Sequence, residues 1–296
     1  MNTKTLGTIA VIFLALLGVW GLSQANYFNQ EKKIKLGFEK ISTSSVSKIN
    51  IDNSKKIELT KSDSTWKVNE YEAVSGKINS ALSALKQGNI SGPVSTNKKN
   101  FSKLGVGKND LKITINQDSE KISFFLGDQG SNFNSTYIRK NGSNKVYKID
   151  KNLVSKFGSK VDFWRNKTIL ALGKNEVRQI KFDYPQTSFS LSKNKQKWQA
   201  QQGNKTTSTD KQFISTFFAN LDPLKADGFV DKKKFTQAQT KKIVTFKTQA
   251  KKITLTLKKK KDSNNWYVNT SEKPKVYYKF PSYKANQLLV KPKELF

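Results

Sequence analysis

The sequence predicts an α+β fold: two tandem similar repeats, each an antiparallel sheet with one main helix, after an N-terminal transmembrane helix. Three observations lead to this. An uncharged apolar run lies near the start, apolar and polar residues then alternate at period two in many short segments, and the pattern of segments occurs twice. Strands joined by short turns, with one amphipathic helix against a face, make an antiparallel α+β layer.

The apolar run spans residues 6–22, and its anchor residues are Leu6, Ile9, Val11, Ile12, Phe13, Leu14, Leu16, Leu17, Val19, Trp20 and Leu22. About seventeen residues is short for a spanning helix and long for the core of a signal peptide. Trp20 stands where an interfacial aromatic would lie. Ser23-Gln24-Ala25 resembles a small-x-small cleavage site. Residues 1–25 therefore read as a membrane anchor or signal segment, with the uncleaved anchor preferred. No cysteine follows the run, so a lipoprotein anchor is excluded. Only Lys4 precedes the run, and Lys32, Lys33, Lys35 and Lys40 lie ten or more residues beyond it. Long domains translocate largely regardless of charge. The expectation is a single-pass membrane protein with its body exported.

A polar linker, residues 26–45, leads to the first repeat, 46–157. There Ile49/Ile51, Ile57/Leu59 and Trp66/Val68 alternate with polar residues as half-buried strands do. Ile78, Ala81, Leu82 and Leu85 follow at helical spacing on one face, with Ser75 or a neighbour as the expected cap. Strands resume at Leu111/Ile113/Ile115, Ile122/Phe124/Leu126, Tyr137-Ile138 and Val146-Tyr147. A connector, 158–176, contains Phe163-Trp164-Arg165; it either closes the first repeat or sets how the two meet.

The second repeat, 177–296, answers the first at near-constant spacing. Val46 to Ile51 matches Val177 to Phe182 at an offset of 131, and Trp66 matches Trp198 at 132. Ile78, Leu82 and Leu85 match Ile214, Phe218 and Leu221 at 136, and Val146-Tyr147 matches Val276-Tyr277 at 130. Thr209 or Asp210 can cap the second helix and Pro223 can stop it, and Ile253/Leu255/Leu257 alternate with threonines in a strand.

Composition limits the chemistry. The chain has 296 residues with Lys+Arg 54, Asp+Glu 22 and a formal net charge of +32. It has no histidine and no cysteine, which removes Ser-His-Asp and Cys-His nucleophiles, zinc sites built on those residues, and iron–sulfur clusters. Arginine occurs only at Arg139, Arg165 and Arg178, so lysine supplies nearly all the positive charge. Lysine is a hydrated point charge suited to diffuse attraction, whereas arginine suits bidentate recognition. The balance favours screened attraction to polyanions over sequence reading.

Several short motifs resemble the bacterial family known as domain of unknown function 4340. They are Trp66 ahead of a helix ending at Leu85, Phe101-Ser102-Lys103-Leu104-Gly105 as a loose tyrosine-glycine-leucine turn, and Leu126-Gly127 after a strand. Tyr137-Ile138-Arg139, Val146-Tyr147 and the connector at 163–170 complete the set. The resemblance covers roughly residues 46–296. The second repeat departs from it, with no Leu-Gly at Leu257 and no arginine in Trp266-Tyr267-Val268. The resemblance implies an N-terminal membrane segment and an accessory envelope role beside ABC-type or gliding-related transport components, with no established catalysis.

No motif argues for an enzyme. Gly127-Asp128-Gln129-Gly130 lacks a following Gly-Lys-Ser/Thr and reads as a hairpin turn, and Asp118 and Glu120 read as a solvated turn. No catalytic residue, cofactor or metal is expected. The densest basic tracts are Lys232-Lys233-Lys234 and Lys258-Lys259-Lys260-Lys261, and residues 231–296 hold 18 lysines against four acids. Such runs read either as solvated loops and strand ends or as a patch for anionic lipid, glycan or nucleic acid. The functional expectation is a membrane-anchored, non-enzymatic accessory or scaffold subunit. Its expected partners are membrane lipid and an envelope protein, with nucleic acid ranked last. The alternative is a polyanion-binding module.

Overall fold

The period-two segments form strands because each can bury one face while its turns stay in water. The computed structural model describes residues 11–20 and 34–296. Two compact units, Met1–Trp164 and Arg165–Phe296, divide the chain within the segment read as a connector. Residues 11–20 are helical and exposed. Among the described residues no helix is long and apolar enough to cross a membrane. The remainder of the expected span, Leu6, Ile9 and Leu22 included, lies outside the described residues.

The first unit runs β1 (Val46–Asp52), β2 (Lys56–Ser62), β3 (Thr65–Val68), β4 (Tyr71–Glu72), α1 (Ser75–Gln87), β5 (Ile90–Ser95), β6 (Lys112–Gln117), β7 (Glu120–Gln129), β8 (Thr136–Lys140), β9 (Val146–Ile149) and α2 (Val161–Trp164). Its nine-stranded antiparallel sheet has the order β4-β3-β2-β1-β6-β7-β8-β9-β5. Ile49, Ile51, Ile57, Leu59, Ile113, Ile115 and Phe124 face the α1 stripe of Ile78, Ala81, Leu82 and Leu85, and Phe157 and Trp164 join the same core. Full burial of one such side chain contributes roughly 1.5–3 kcal/mol.

The cap of α1 is the neighbour of Ser75, Val74, whose side chain makes no capping bond and whose N–H donates to the Trp164 carbonyl at 2.8 Å. Two expectations for this unit need correction. The end of the polar linker is part of the fold, because Leu36, Phe38 and Ile41 are buried in this core and Phe38 meets Phe124 edge-on at 5.0 Å. Gly127, Asp128 and Gln129 are the last residues of β7, not a hairpin turn. The register with β8 shifts between Leu126 and Gln129 as a bulge, and the turn follows at Gly130.

The second unit runs β10 (Thr168–Leu170), β11 (Val177–Tyr184), β12 (Thr187–Asn194), β13 (Lys197–Gln202), β14 (Lys205–Ser208), α3 (Lys211–Ala219), β15 (Leu224–Lys225), β16 (Gly228–Phe229), α4 (Lys232–Thr236), β17 (Thr240–Thr248), β18 (Lys252–Lys259), β19 (Asn265–Thr270), β20 (Lys273–Pro281) and α5 (Ser282–Leu288). Its large sheet has the order β14-β13-β12-β11-β17-β18-β19-β20-β16, position for position the order of the first. The Asp210 side chain caps α3, accepting from the Phe213 N–H at 2.8 Å. The helix ends at Ala219, ahead of Pro223. Ile214, Phe217, Phe218 and Leu221 pack with Phe182, Trp198, Val244 and Leu255.

Local details coincide as well. The register between β1 and β6 shifts between Val46 and Lys48, and that between β11 and β17 shifts between Val177 and Gln179. Trp66 and Trp198 are both buried, and their carbonyls accept from Ala73 and Thr209, each at 2.9 Å. The architecture is therefore mixed α+β, with two large antiparallel sheets and few helices.

Candidate functional site

Where the sequence departs from its own repeat, the outer faces of the two sheets differ most. In the first unit, residues 96–111 connect β5 to β6 and lie on the outer face over β7 and β8. Phe101, Leu104 and Tyr137 pack there against Val106, Phe125 and Val146. Arg139 is buried at the centre. Its guanidinium sits 4.4 Å from the Phe101 ring and 4.2 Å from the Phe125 ring. Nε donates to the Val106 carbonyl at 2.8 Å and Nη1 to that of Ser143 at 3.1 Å. Burial lowers the Arg139 pKa, with the charge of Asp110 opposing the shift. A cation so stacked and hydrogen-bonded pins a loop; it is not offered to a ligand.

Gly127 permits this cover. A Cβ there would stand 2.1 Å from the Leu104 carbonyl oxygen and 2.7 Å from Val106 Cγ1, which no side chain can satisfy. The motif residues Phe101, Leu104, Gly127, Tyr137, Arg139 and Val146 thus form one packing cluster.

The second unit has a smaller cover, in which Phe235 and Ala238 are buried. The β16–β17 connection, residues 230–239, is six residues shorter than its counterpart. Leu126 faces Ile138 as Leu257 faces Val268, so Gly127 corresponds to Lys258, Tyr137 to Tyr267 and Arg139 to Asn269. Asn269 takes over part of the arginine's task, its Nδ2 donating to the carbonyls of Pro274 at 3.1 Å and Val276 at 2.9 Å.

On this face the first expected lysine tract meets one residue of the second, Lys258. Asp231 caps α4, accepting from the Lys234 N–H at 2.7 Å. The turn buries Phe235 against Tyr277, ring centroids 4.9 Å apart, and exposes Lys232, Lys233 and Lys234. Lys258 Nζ lies 5.1 Å from the Phe235 ring. Lys258 faces Lys241 on β17 and Tyr267 on β19, and Tyr267 in turn faces Lys279 on β20. Lys258, Tyr267 and Lys279 flank the buried Leu257, Trp266, Val268, Tyr278 and Phe280, and Lys241 lies an odd three residues before the buried Val244, which fixes the inner face. They therefore form one outward row, Lys241–Lys258–Tyr267–Lys279.

The rest of the second tract goes elsewhere. Lys259 points to the opposite face, 5.9 Å from the Trp266 ring, and Lys260 and Lys261 are exposed at the strand end. Lys242, also on the inner face, sits 4.3 Å from the Tyr184 ring and 5.5 Å from that of Trp266. Burial, and then the charge of Lys291, lower its pKa. Burial, and then Glu294, push the Tyr184 hydroxyl well above its usual range, and that hydroxyl donates to the Val290 carbonyl at 2.9 Å.

Lysines directly opposite one another across strands destabilise a sheet by a few tenths of a kcal/mol or more. Among the described residues none of Lys232, Lys233, Lys234, Lys241, Lys258 or Lys279 is ion-paired, whereas Lys181, Lys251 and Lys284 each meet a carboxylate. Asp231 is committed to its cap. Among the described residues no group of three His, Cys, Asp or Glu is placed to hold a metal.

Sequence reading missed Lys241, Tyr267 and Lys279, which lie in no run and meet Lys258 only through strand register. One signal was available. Asn97-Lys98-Lys99-Asn100-Phe101 matches Asp231-Lys232-Lys233-Lys234-Phe235 at an offset of 134, both with a side-chain cap at the first position.

A family model described as "Domain of unknown function (DUF4340)" matches residues 66–242. No curated protein and no solved structure matches the chain.

Proposed function

The chain belongs to the DUF4340 family, and within it we propose a non-enzymatic binding protein whose second unit presents a basic outer face to an anionic partner. The observation that carries this reading is the convergence of Lys232–Lys234, Lys241, Lys258 and Lys279 on one face with no ion pair among them in the described residues. Residues 165–296 hold 29 lysines and arginines against nine acids, a net +20, while residues 1–164 hold 25 against 13, a net +12. Scarce acids leave this field uncompensated, and only mobile counterions or an anionic ligand can balance it.

The test is salt-dependent binding of the full chain, in mild non-ionic detergent, to dextran sulfate. Releasing condensed counterions makes affinity fall steeply with salt, so three or more contacts should cost about tenfold or more between 50 and 200 mM. Replacing Lys241, Lys258 and Lys279 together by Ser should flatten that slope. Salt-insensitive binding, or none, overturns the reading.

The duplicated strand order, the shared register shifts and the repeated capped turn support tandem repeats descended from one unit. The N-terminal apolar run supports a membrane tether that holds the repeats at the outer surface of the cytoplasmic membrane. In this setting the protein acts as an accessory or scaffold beside a transport assembly, as the family resemblance implies. A partner co-purifying stoichiometrically from gently solubilised membranes supports that role; repeated recovery of this chain alone counts against it.

A further inference from the structure

The geometry points to a specific ligand class: we propose that the row Lys241–Lys258–Tyr267–Lys279 is a subsite for a linear acidic polysaccharide. One sugar ring stacks on Tyr267, and the anionic groups of the adjoining residues meet the flanking lysines. The inference rests on the basic-face reading and narrows it.

Tyr267 carries the argument. It is half-buried on the outer face, and among the described residues its ring meets no other ring and its hydroxyl makes no hydrogen bond. Its counterpart Tyr137 packs beneath the 96–111 cover with Leu104 and Val106. Its neighbour in the next row, Tyr277, is covered by Phe235. All three are half-buried, but among the described residues Tyr267 alone of them packs against neither a core cluster nor another ring, and it lies in a row between two lysines.

Spacing suits a linear polymer. Adjacent strands lie about 4.8 Å apart, so the row of four strands extends about 14 Å, roughly the length of a trisaccharide, with the ring inside it. In the neighbouring rows, Thr256, facing Ile243, and Thr254, facing Thr245, supply hydroxyls that can bond sugar hydroxyls. A lipid surface fits less well, because no apolar side chain projects from the row to enter a bilayer. Nucleic acid fits less well because lysine gives no planar fork for base edges.

Two probes of matched charge separate the ring from the charge: polygalacturonate, which has sugar rings, and inorganic polyphosphate, which has none. The full chain should bind polygalacturonate about tenfold more tightly. Tyr267→Ala should lose most of that tenfold while leaving polyphosphate affinity unchanged, and Tyr267→Phe, which keeps the ring, should retain it. Tyr267→Leu preserves strand burial and should behave like the alanine variant, so that misfolding is told apart from a lost platform by an unchanged melting curve. Equal affinity for both probes, or a folded Tyr267→Leu chain that keeps its preference, overturns the inference and leaves the basic face standing. Failure to bind either probe overturns the basic face itself. Tighter binding to phosphatidylglycerol vesicles than to polygalacturonate, unaffected at Tyr267, assigns the face to lipid and also overturns the inference.

Discussion

The same strand position carries Gly127 in the first unit and Lys258 in the second, and nearly every other difference between the two outer faces follows from that pair. With glycine at this point, sixteen connecting residues lie directly on the sheet, pack against Tyr137 and trap Arg139 between Phe101 and Phe125. With lysine there and a connection six residues shorter, the cover shrinks to the turn that buries Phe235 against Tyr277, and among the described residues Tyr267 meets no other ring. The strand order does not change, and both inner faces stay apolar. A sheet packed on one face can vary its other face freely, because the core that holds it is on the far side.

Exchanging the pair should break the comparison most sharply. Gly127→Lys forces a side chain into the Leu104 carbonyl and should lower stability by about 3 kcal/mol, by overpacking and displacement of the cover, read as a denaturant midpoint shift. The reverse change, Lys258→Gly, leaves the fold within about 1 kcal/mol, the ordinary effect of a strand glycine, and weakens polyanion binding. Equal destabilisation by the two would show that the faces do not differ as described.

Next in size is the contrast between the two pins. Arg139→Ala removes two hydrogen bonds and both ring stacks, and should cost about 2 kcal/mol. Asn269→Ala loses only its carbonyl contacts and should cost about 1 kcal/mol. The pair is measured in one denaturant series.

The smallest effect concerns pH. Burial holds Lys242 below its ordinary 10.5, so between its folded pKa and 10.5 the unfolded chain binds more protons than the folded one. The penalty of the charged lysine is therefore full at neutral pH and fades as pH approaches 10.5. Lys242→Met should raise Tm by about 2 °C at pH 7 and by less at pH 10. An equal gain at both values contradicts the burial argument.

Much of the fold was legible because it is local. The Ile78/Ala81/Leu82/Leu85 stripe, the alternation along β1, β2 and β18, and the Asp210 cap all depend on neighbours within a few residues. The packing of Leu36, Phe38 and Ile41 was not legible, since a short apolar trio in a polar stretch has no period. Nor was the end of β7, where Gly127-Asp128-Gln129-Gly130 has turn composition but a bulged strand conformation. The candidate site was the least legible part. A run of four lysines overstates what is shared, because alternation sends Lys258 and Lys259 to opposite faces. The row understates itself in sequence, because Lys241, Tyr267 and Lys279 join Lys258 only when four strands pair.

Lysine labelling with an amine-reactive reagent, read by mass spectrometry with and without dextran sulfate, asks which lysines the polyanion covers. Lys232–Lys234, Lys241, Lys258 and Lys279 should become protected while Lys48, Lys67 and Lys121 of the first sheet keep their reactivity. Equal protection of both sets, or none in the second unit, would contradict the basic-face reading.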